Sequence, residues 1–231
     1  MNNKIIIFDA STLISLAMNG LLEELSKLKE KFNLKLIITQ EVKYEMIDRP
    51  LTIKRFELEA LNLNKLYKEK ILESPESLGV DSKEITKKTQ ELMEMANNSL
   101  FEKGKPIHLL DLGETSSIAL ERILKGKGME SMIAIDERTA RMLIEKPKNL
   151  QELMQKKLHS KIEIKLDGLK EFQGIKVVRS TELMYLAYKS KLMEIEDPNL
   201  LDAVLYALKF KGCSISGDEI EEIKKFDKRN K

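Results

Sequence analysis

Two short apolar runs constrain this chain more than any other feature. Ile5-Ile6-Ile7-Phe8 is dominated by β-branched residues and stops at Asp9, and Met132-Ile133-Ala134-Ile135 stops in the same way at Asp136. Continuous apolar runs of this length, closed by polar residues, read as strands covered on both faces, which is typical of a parallel sheet. Parallel strands need crossovers, and helical periodicity supplies them. After a Ser11 or Thr12 cap, Leu13, Leu16, Ala17, Gly20 and Leu21 recur at helical spacing. Leu34 to Ile38 is a second strand, and Thr39 caps a helix carrying Glu41, Val42, Glu45 and Met46 until Pro50 stops it. Gly113 to Leu124 and Glu137 to Glu145 read as helices, and Ile175 to Val178 as a strand. Ser180 or Thr181 then caps a helix with Leu183, Leu186 and Ala187 on its core face, and Asp197-Pro198 opens a last helix, Leu200 to Phe210. The alternation predicts an α/β fold of three layers, a central mainly parallel sheet with helices on both faces.

At 231 residues the chain has the length of one large domain or of one domain with insertions. Two stretches read as insertions. Residues from about 52 to 105 are rich in Lys and Glu, with Leu and Met at helical intervals and a break at Ser74-Pro75, and read as a helical arm. Residues from about 147 to 172 include Ile162, Ile164 and Leu166 alternating with charges, an amphipathic strand. The rest of 1–212 is the α/β domain, and 213–231 is a charged tail ending in Lys228-Arg229-Asn230-Lys231. The lone cysteine, Cys213, excludes an intrachain disulfide framework. No apolar run has the length of a signal h-region or a spanning helix, so a cytoplasmic location with no membrane partner is expected. Charged residues make up 34% of the chain and Trp is absent, a composition that points towards a thermophile. The net charge is only +2, so any surface for nucleic acid must be local.

With both runs in one sheet, Asp9 and Asp136 stand at the same edge, where open α/β sheets bind ligands. Glu45 lies in the helix after the second strand, and Glu114 in the first turn of the helix after Leu112-Gly113. Four converging carboxylates repel one another, and protons or cations must neutralise them. An oxygen-only set without Cys or His suits Mg²⁺ or Mn²⁺. His108 and His159 are remote from these acids in sequence, and zinc is not expected. Each acid also has a plainer reading. Asp9 can cap the next helix, Glu114 can form half of a capping box with Asp111, and Glu45 can share an exposed stripe with Glu41. Arg138 and Arg141, three apart after Asp136, are candidates for holding phosphate, as are Lys43, Arg49 and Arg179. Ordinary ion pairs are the alternative for all five.

Four segments, in this order, resemble the PIN-domain superfamily of metal-dependent ribonucleases of prokaryotic or archaeal type. They are Ile5-Ile6-Ile7-Phe8-Asp9-Ala10-Ser11-Thr12-Leu13-Ile14, then Glu41-Val42-Lys43-Tyr44-Glu45-Met46, then Leu112-Gly113-Glu114 running into Ser117-Ile118-Ala119-Leu120, and Ile133-Ala134-Ile135-Asp136-Glu137-Arg138-Thr139-Ala140-Arg141. The likeness covers most of 1–212 outside the insertions. It implies a PIN-like fold in which Asp9, Glu45, Glu114 and Asp136 are catalytic and bind one or two Mg²⁺ or Mn²⁺ ions. Ser11 matches a small hydroxyl residue that hydrogen-bonds the site, and it can equally be a helix cap. The implied activity is an endoribonuclease hydrolysing phosphodiester bonds of single-stranded or structured RNA. Candidate partners are RNA, an antitoxin, a ribosomal or RNA-maturation partner, and a second copy in a homodimer. The third acid is Glu where many relatives have Asp, which leaves Asp111 as an alternative ligand, and the chain is longer than a minimal member. Two other classes compete: a catalytically silent scaffold that binds RNA or protein, and a phosphoryl-transfer domain. Against the latter, Asp9-Ala10-Ser11 lacks the D-x-D of haloacid-dehalogenase-like phosphatases.

Overall fold

Ile6 and Phe8 join one hydrophobic core and Ile5 and Ile7 another, so the first strand is covered on both sides by the alternation of its own side chains. Full burial of each such side chain contributes about 1.5–3 kcal/mol relative to leaving it exposed. The computed structural model describes residues 4–165 and 167–229. Leu166, expected on the amphipathic strand, and Asn230 and Lys231 of the tail lie outside the described residues.

In chain order, β1 (Lys4–Phe8) leads into α1 (Ala10–Met18) and α2 (Leu22–Phe32), which ends at Asn33 in the left-handed region, φ 49°. β2 (Leu34–Ile37) feeds α3 (Gln40–Lys43), capped by the Thr39 side chain, and the helix widens into a π turn over Tyr44–Asp48. Next come α4 (Glu57–Lys68), β3 (Leu72–Glu73) and α5 (Ser82–Asn97). A hairpin of β4 (Leu100–Glu102) and β5 (Lys105–Pro106) turns at Lys103 and Gly104, both at positive φ, as a tight two-residue hairpin turn requires. The order continues with α6 (Leu112–Gly126), β6 (Ser131–Ala134), α7 (Arg138–Glu145), α8 (Pro147–Leu158), β7 (Ile162–Ile164), β8 (Val177–Val178), α9 (Ser180–Lys189), α10 (Leu200–Phe210) and α11 (Gly217–Arg229).

The central sheet has five strands in the order β3-β2-β1-β6-β8, all parallel. One face packs on residues of α1, α2, α4, α9 and α10, and the other on residues of α5, α6, α7 and α8. The fold is therefore a three-layer α/β/α sandwich. A separate antiparallel sheet, β5-β4-β7, joins the hairpin to the strand at Ile162. No helix of the described residues is long and apolar enough to cross a membrane.

The structure adds detail to the sequence reading in three regions. Residues 52–105 carry the expected helices, packed on the core, and add a strand that no periodicity announced. β3 is the edge strand of the central sheet, Leu63 and Leu66 enter one core, and Ile85, Leu92 and Ala96 enter the other. Residues 147–172 likewise bury Leu150, Met154, Ile162, Leu169 and Phe172. The charged tail is docked as α11. Ile220 is fully buried, Arg179 Nη1 reaches Glu219 at 2.7 Å and Lys189 pairs with Asp227 at 3.0 Å. Its apolar residues Ile215, Ile220 and Ile223 need cover, and the first core supplies it.

Candidate functional site

The chain runs outward from β1 through β2 to β3, then returns to pair β6 on the opposite side of β1 and continues to β8. The carboxyl ends of β1 and β6 thus flank the point where strand order reverses, the place where open α/β sheets leave a crevice for ligands. Asp9 follows β1 directly, and Asp136 lies two residues beyond β6.

Asp9 is buried and caps α1. Its Oδ2 accepts from the Ser11 backbone N–H at 3.0 Å and from the Ser11 hydroxyl at 2.5 Å. The same Ser11 Oγ accepts from the Asp136 N–H at 3.0 Å, so one hydroxyl ties the two strand ends together. The cap and the site role expected of Ser11 are therefore one geometry. Burial pushes the Asp9 carboxyl up, and the charge of Asp136 adds to the rise against the pull of the Ser11 donors.

Asp136 is engaged on the far side. Its Oδ1 accepts from the Ser180 N–H at 2.8 Å and its Oδ2 from the Ser180 hydroxyl at 2.6 Å, which makes it a buried anchor for the start of α9. Its carbonyl also receives Ser214 N–H at 3.1 Å. Beside it, burial together with Asp136 pushes the Cys213 thiol up to about 11.

Glu45 sits in the π turn, an irregularity that often marks functional positions in helices. Its carboxyl is raised by partial burial and by Asp9 and Asp111. The Glu45 Oε2 lies 2.6 Å from the position a Cβ on Gly113 would take, so the missing side chain of Gly113 is what lets this carboxylate rest over the start of α6. Glu114, in the first turn of α6, accepts from the Asp111 N–H through Oε2 at 3.1 Å, the capping-box contact. Burial, reinforced by Asp9, pushes its carboxyl up to about 9. Glu137 contributes to that rise and is an acid of the site that sequence reasoning missed. A second acid directly after Asp136 was the available signal.

Asp111 is exposed and faces His108, whose Nε2 lies 2.8 Å from its Oδ1. Asn97 at the end of α5 braces the same loop: its Oδ1 accepts from Leu109 and Leu110 N–H, and its Nδ2 faces His108 Nδ1 at 3.2 Å. His108 thus stands beside Asp111, the alternative ligand three residues along the chain.

The cationic candidates divide. Arg138 is exposed and makes no ion pair among the described residues. Arg141 donates from Nη1 to the Ser214 carbonyl at 3.0 Å, fixing the segment after α10. Lys43 pairs with Asp48 at 2.7 Å, Arg49 is exposed and its charge eases the rise at Glu45, and Arg179 is held by Glu182 and Glu219.

The donor set fits a hard divalent cation in kind, since Asp9, Glu45 and Glu114 are carboxylates on three elements with no lysine or arginine ion-paired to them among the described residues. Among the described residues, no group of three or more Asp, Glu, His or Cys side chains is arranged to hold a metal ion. No family model matches the chain, and no curated protein or solved structure matches it.

Proposed function

We propose that this chain is a divalent-cation-dependent endoribonuclease in which Asp9, Glu45 and Glu114 hold Mg²⁺ or Mn²⁺ and Asp136 adds negative charge from a fixed position behind them. One observation carries the proposal. Three carboxyls from separate elements lie near the switch point of a parallel sheet, close enough for Asp9 to raise both Glu45 and Glu114, all are raised by burial and by acidic neighbours, and none is ion-paired to a basic side chain among the described residues. The choice of RNA as substrate rests on the likeness of four sequence segments to PIN-domain ribonucleases.

A bound divalent cation supplies acidified water at neutral pH and charge stabilisation for a leaving oxygen. The protein's own groups prepare for it. Ser11 fixes Asp9 relative to the β6 end, Gly113 leaves room for Glu45, and Glu114, whose carboxyl burial pushes up to about 9, would have to give up its proton to serve as a ligand. Arg138 and Arg49, both exposed and without an ion pair among the described residues, are the cations that would draw phosphate towards the crevice. The engagement of Asp136 by Ser180 favours one other reading, a catalytically silent scaffold that binds RNA or protein.

Cleavage of single-stranded RNA with saturating Mn²⁺, wild type beside Asp9→Asn and with single-stranded DNA as control, separates the two. Metal-dependent RNA cleavage lost in Asp9→Asn supports the nuclease. Absence of cleavage by folded wild type, or equal cleavage by the variant, overturns it.

A further inference from the structure

Beside the carboxylates, the same sheet edge holds a cavity of about 250 Å³ above the ends of β2 and β3, between the Thr39–Asp48 stretch, α4 and the start of α5. That is just under the roughly 300–1,000 Å³ of sites for drug-sized ligands, a size that suits one flat heterocycle. Tyr67 supplies an aromatic wall, with the Lys43 ammonium over one face of its ring at 5.4 Å from the centroid and the other face left for a base. Lys43 is neutralised by Asp48 at 2.7 Å and offers little to a phosphate.

The Thr39 hydroxyl is taken up by Ser116 at 2.6 Å and by the Val42 N–H, and five other polar side chains of the lining are unengaged. The Gln40 amide, the Ser74 and Ser82 hydroxyls and the Glu41 and Glu76 carboxylates make no side-chain hydrogen bond or ion pair among the described residues. Five idle polar groups and an aromatic ring on one concave wall are the components that read an unpaired base, by packing on a ring and by hydrogen bonds to its polar edge. Two free carboxylates repel a phosphate and accept from N–H groups, so they favour a neutral occupant with an exocyclic amine.

We propose that this cavity is a base-recognition subsite that takes one nucleobase of a single-stranded RNA against Tyr67 and prefers adenine or cytosine, whose amines face Glu41 or Glu76, over uracil. The proposal rests on the ribonuclease reading. Glu41 and Glu45 are four residues apart on one helical stretch, about 6 Å of rise, so a strand with a phosphate at Glu45 has a neighbouring base within reach of the cavity. Uracil has no exocyclic amine, and its single N3–H is flanked by two carbonyl oxygens that the same carboxylates repel.

The test is fluorescence anisotropy with short 2′-O-methyl homopolymers of adenosine, cytidine and uridine in the presence of Ca²⁺. The adenosine and cytidine oligomers should bind about tenfold more tightly than the uridine oligomer. The double variant Glu41→Gln, Glu76→Gln, at partly or fully exposed positions, should largely remove that preference, and Tyr67→Leu should weaken all three by about tenfold. Equal affinities in wild type, no binding of any oligomer, or a preference unchanged in the double variant overturns the subsite. Cleavage is scored separately. RNA cut in Mn²⁺ with no base preference in binding removes the subsite alone. A preference for adenosine and cytidine in a chain that never cuts RNA removes the nuclease and keeps the base site.

Discussion

Glu73 and Glu114 are both partly buried glutamates of the same α/β sandwich, and the fold treats them in opposite ways. Burial pushes the Glu73 carboxyl up, but Lys29 and Lys35, each at 2.7 Å, outweigh it and hold the group below the usual carboxylate range. Burial pushes Glu114 up too, and its neighbours Asp9, Glu137 and Asp111 push further, to about 9. With 40 lysines and arginines in the chain, a shortage of cations does not explain the difference. At the edge strand β3 the protein supplies its own counter-charge. At the crevice between β1 and β6 it leaves the acids to one another, a persistent destabilisation of the kind that functional sites impose on a fold.

The sharpest way to break this comparison is to neutralise one acid in each region. Asp9→Asn should lower RNA cleavage by about a hundredfold or more, because the site loses charge where it acts. Without metal its melting temperature should equal or exceed that of wild type. Glu73→Gln should do the reverse, with cleavage intact and stability reduced by about 1–3 kcal/mol as two lysines lose their partner. A large metal-free loss of stability in Asp9→Asn would show that residue to be structural.

Asp136 should side with Glu73. Ser180 donates to both of its oxygens, and an amide cannot accept in the same way at both. Asp136→Asn should therefore reduce stability by about 1.5–3 kcal/mol in denaturant titrations without metal. An unchanged midpoint would mean that α9 does not depend on this anchor.

A separate effect follows from pH. Glu114 titrates near 9 when folded against 4.5 as the ordinary value, so the native state holds a proton that the unfolded chain releases. Its contribution to stability is complete below about pH 4.5 and fades as pH rises through about 9. Metal-free melting temperature should fall across that window, and Glu114→Gln should flatten the fall. An identical slope in the variant would remove Glu114 as its source.

The smallest effect is expected at Gly113→Ala. Alanine raises helix propensity by up to about 1 kcal/mol, while its Cβ displaces the flexible end of Glu45. Stability should hardly move and Mn²⁺ affinity should fall several-fold. Unchanged affinity would mean that Glu45 does not hold the ion where it now lies.

The central strands were readable because Ile5 to Phe8 and Met132 to Ile135 have no polar face, which only a sheet covered on both sides explains. β3 was not, because two residues, Leu72 and Glu73, carry no periodicity and become a strand only by pairing with Leu36 and Ile37. The hairpin at Lys103-Gly104 was hidden in a Lys- and Glu-rich stretch whose helical spacing dominated the local signal. At the site, strand-end position singled out Asp9 and Asp136 equally. Their different surroundings depend on Ser11 for one and Ser180 for the other, and the latter is 44 residues away from Asp136 in sequence. The approach of His108 to Asp111 is local, three residues, and the intervening backbone at Leu109 and Leu110 is held by Asn97 from α5, a contact the local sequence does not announce.

Titration calorimetry of wild type with Mn²⁺ near neutral pH, repeated in buffers of different ionisation enthalpy, tests the central claim most directly. The crevice acids should bind the ion with release of protons, chiefly from Glu114, and binding should be lost in Asp9→Asn and kept in Glu73→Gln. No binding at millimolar Mn²⁺, or the same isotherm in Asp9→Asn as in wild type, would contradict the claim that these carboxylates are left unpaired for a cation.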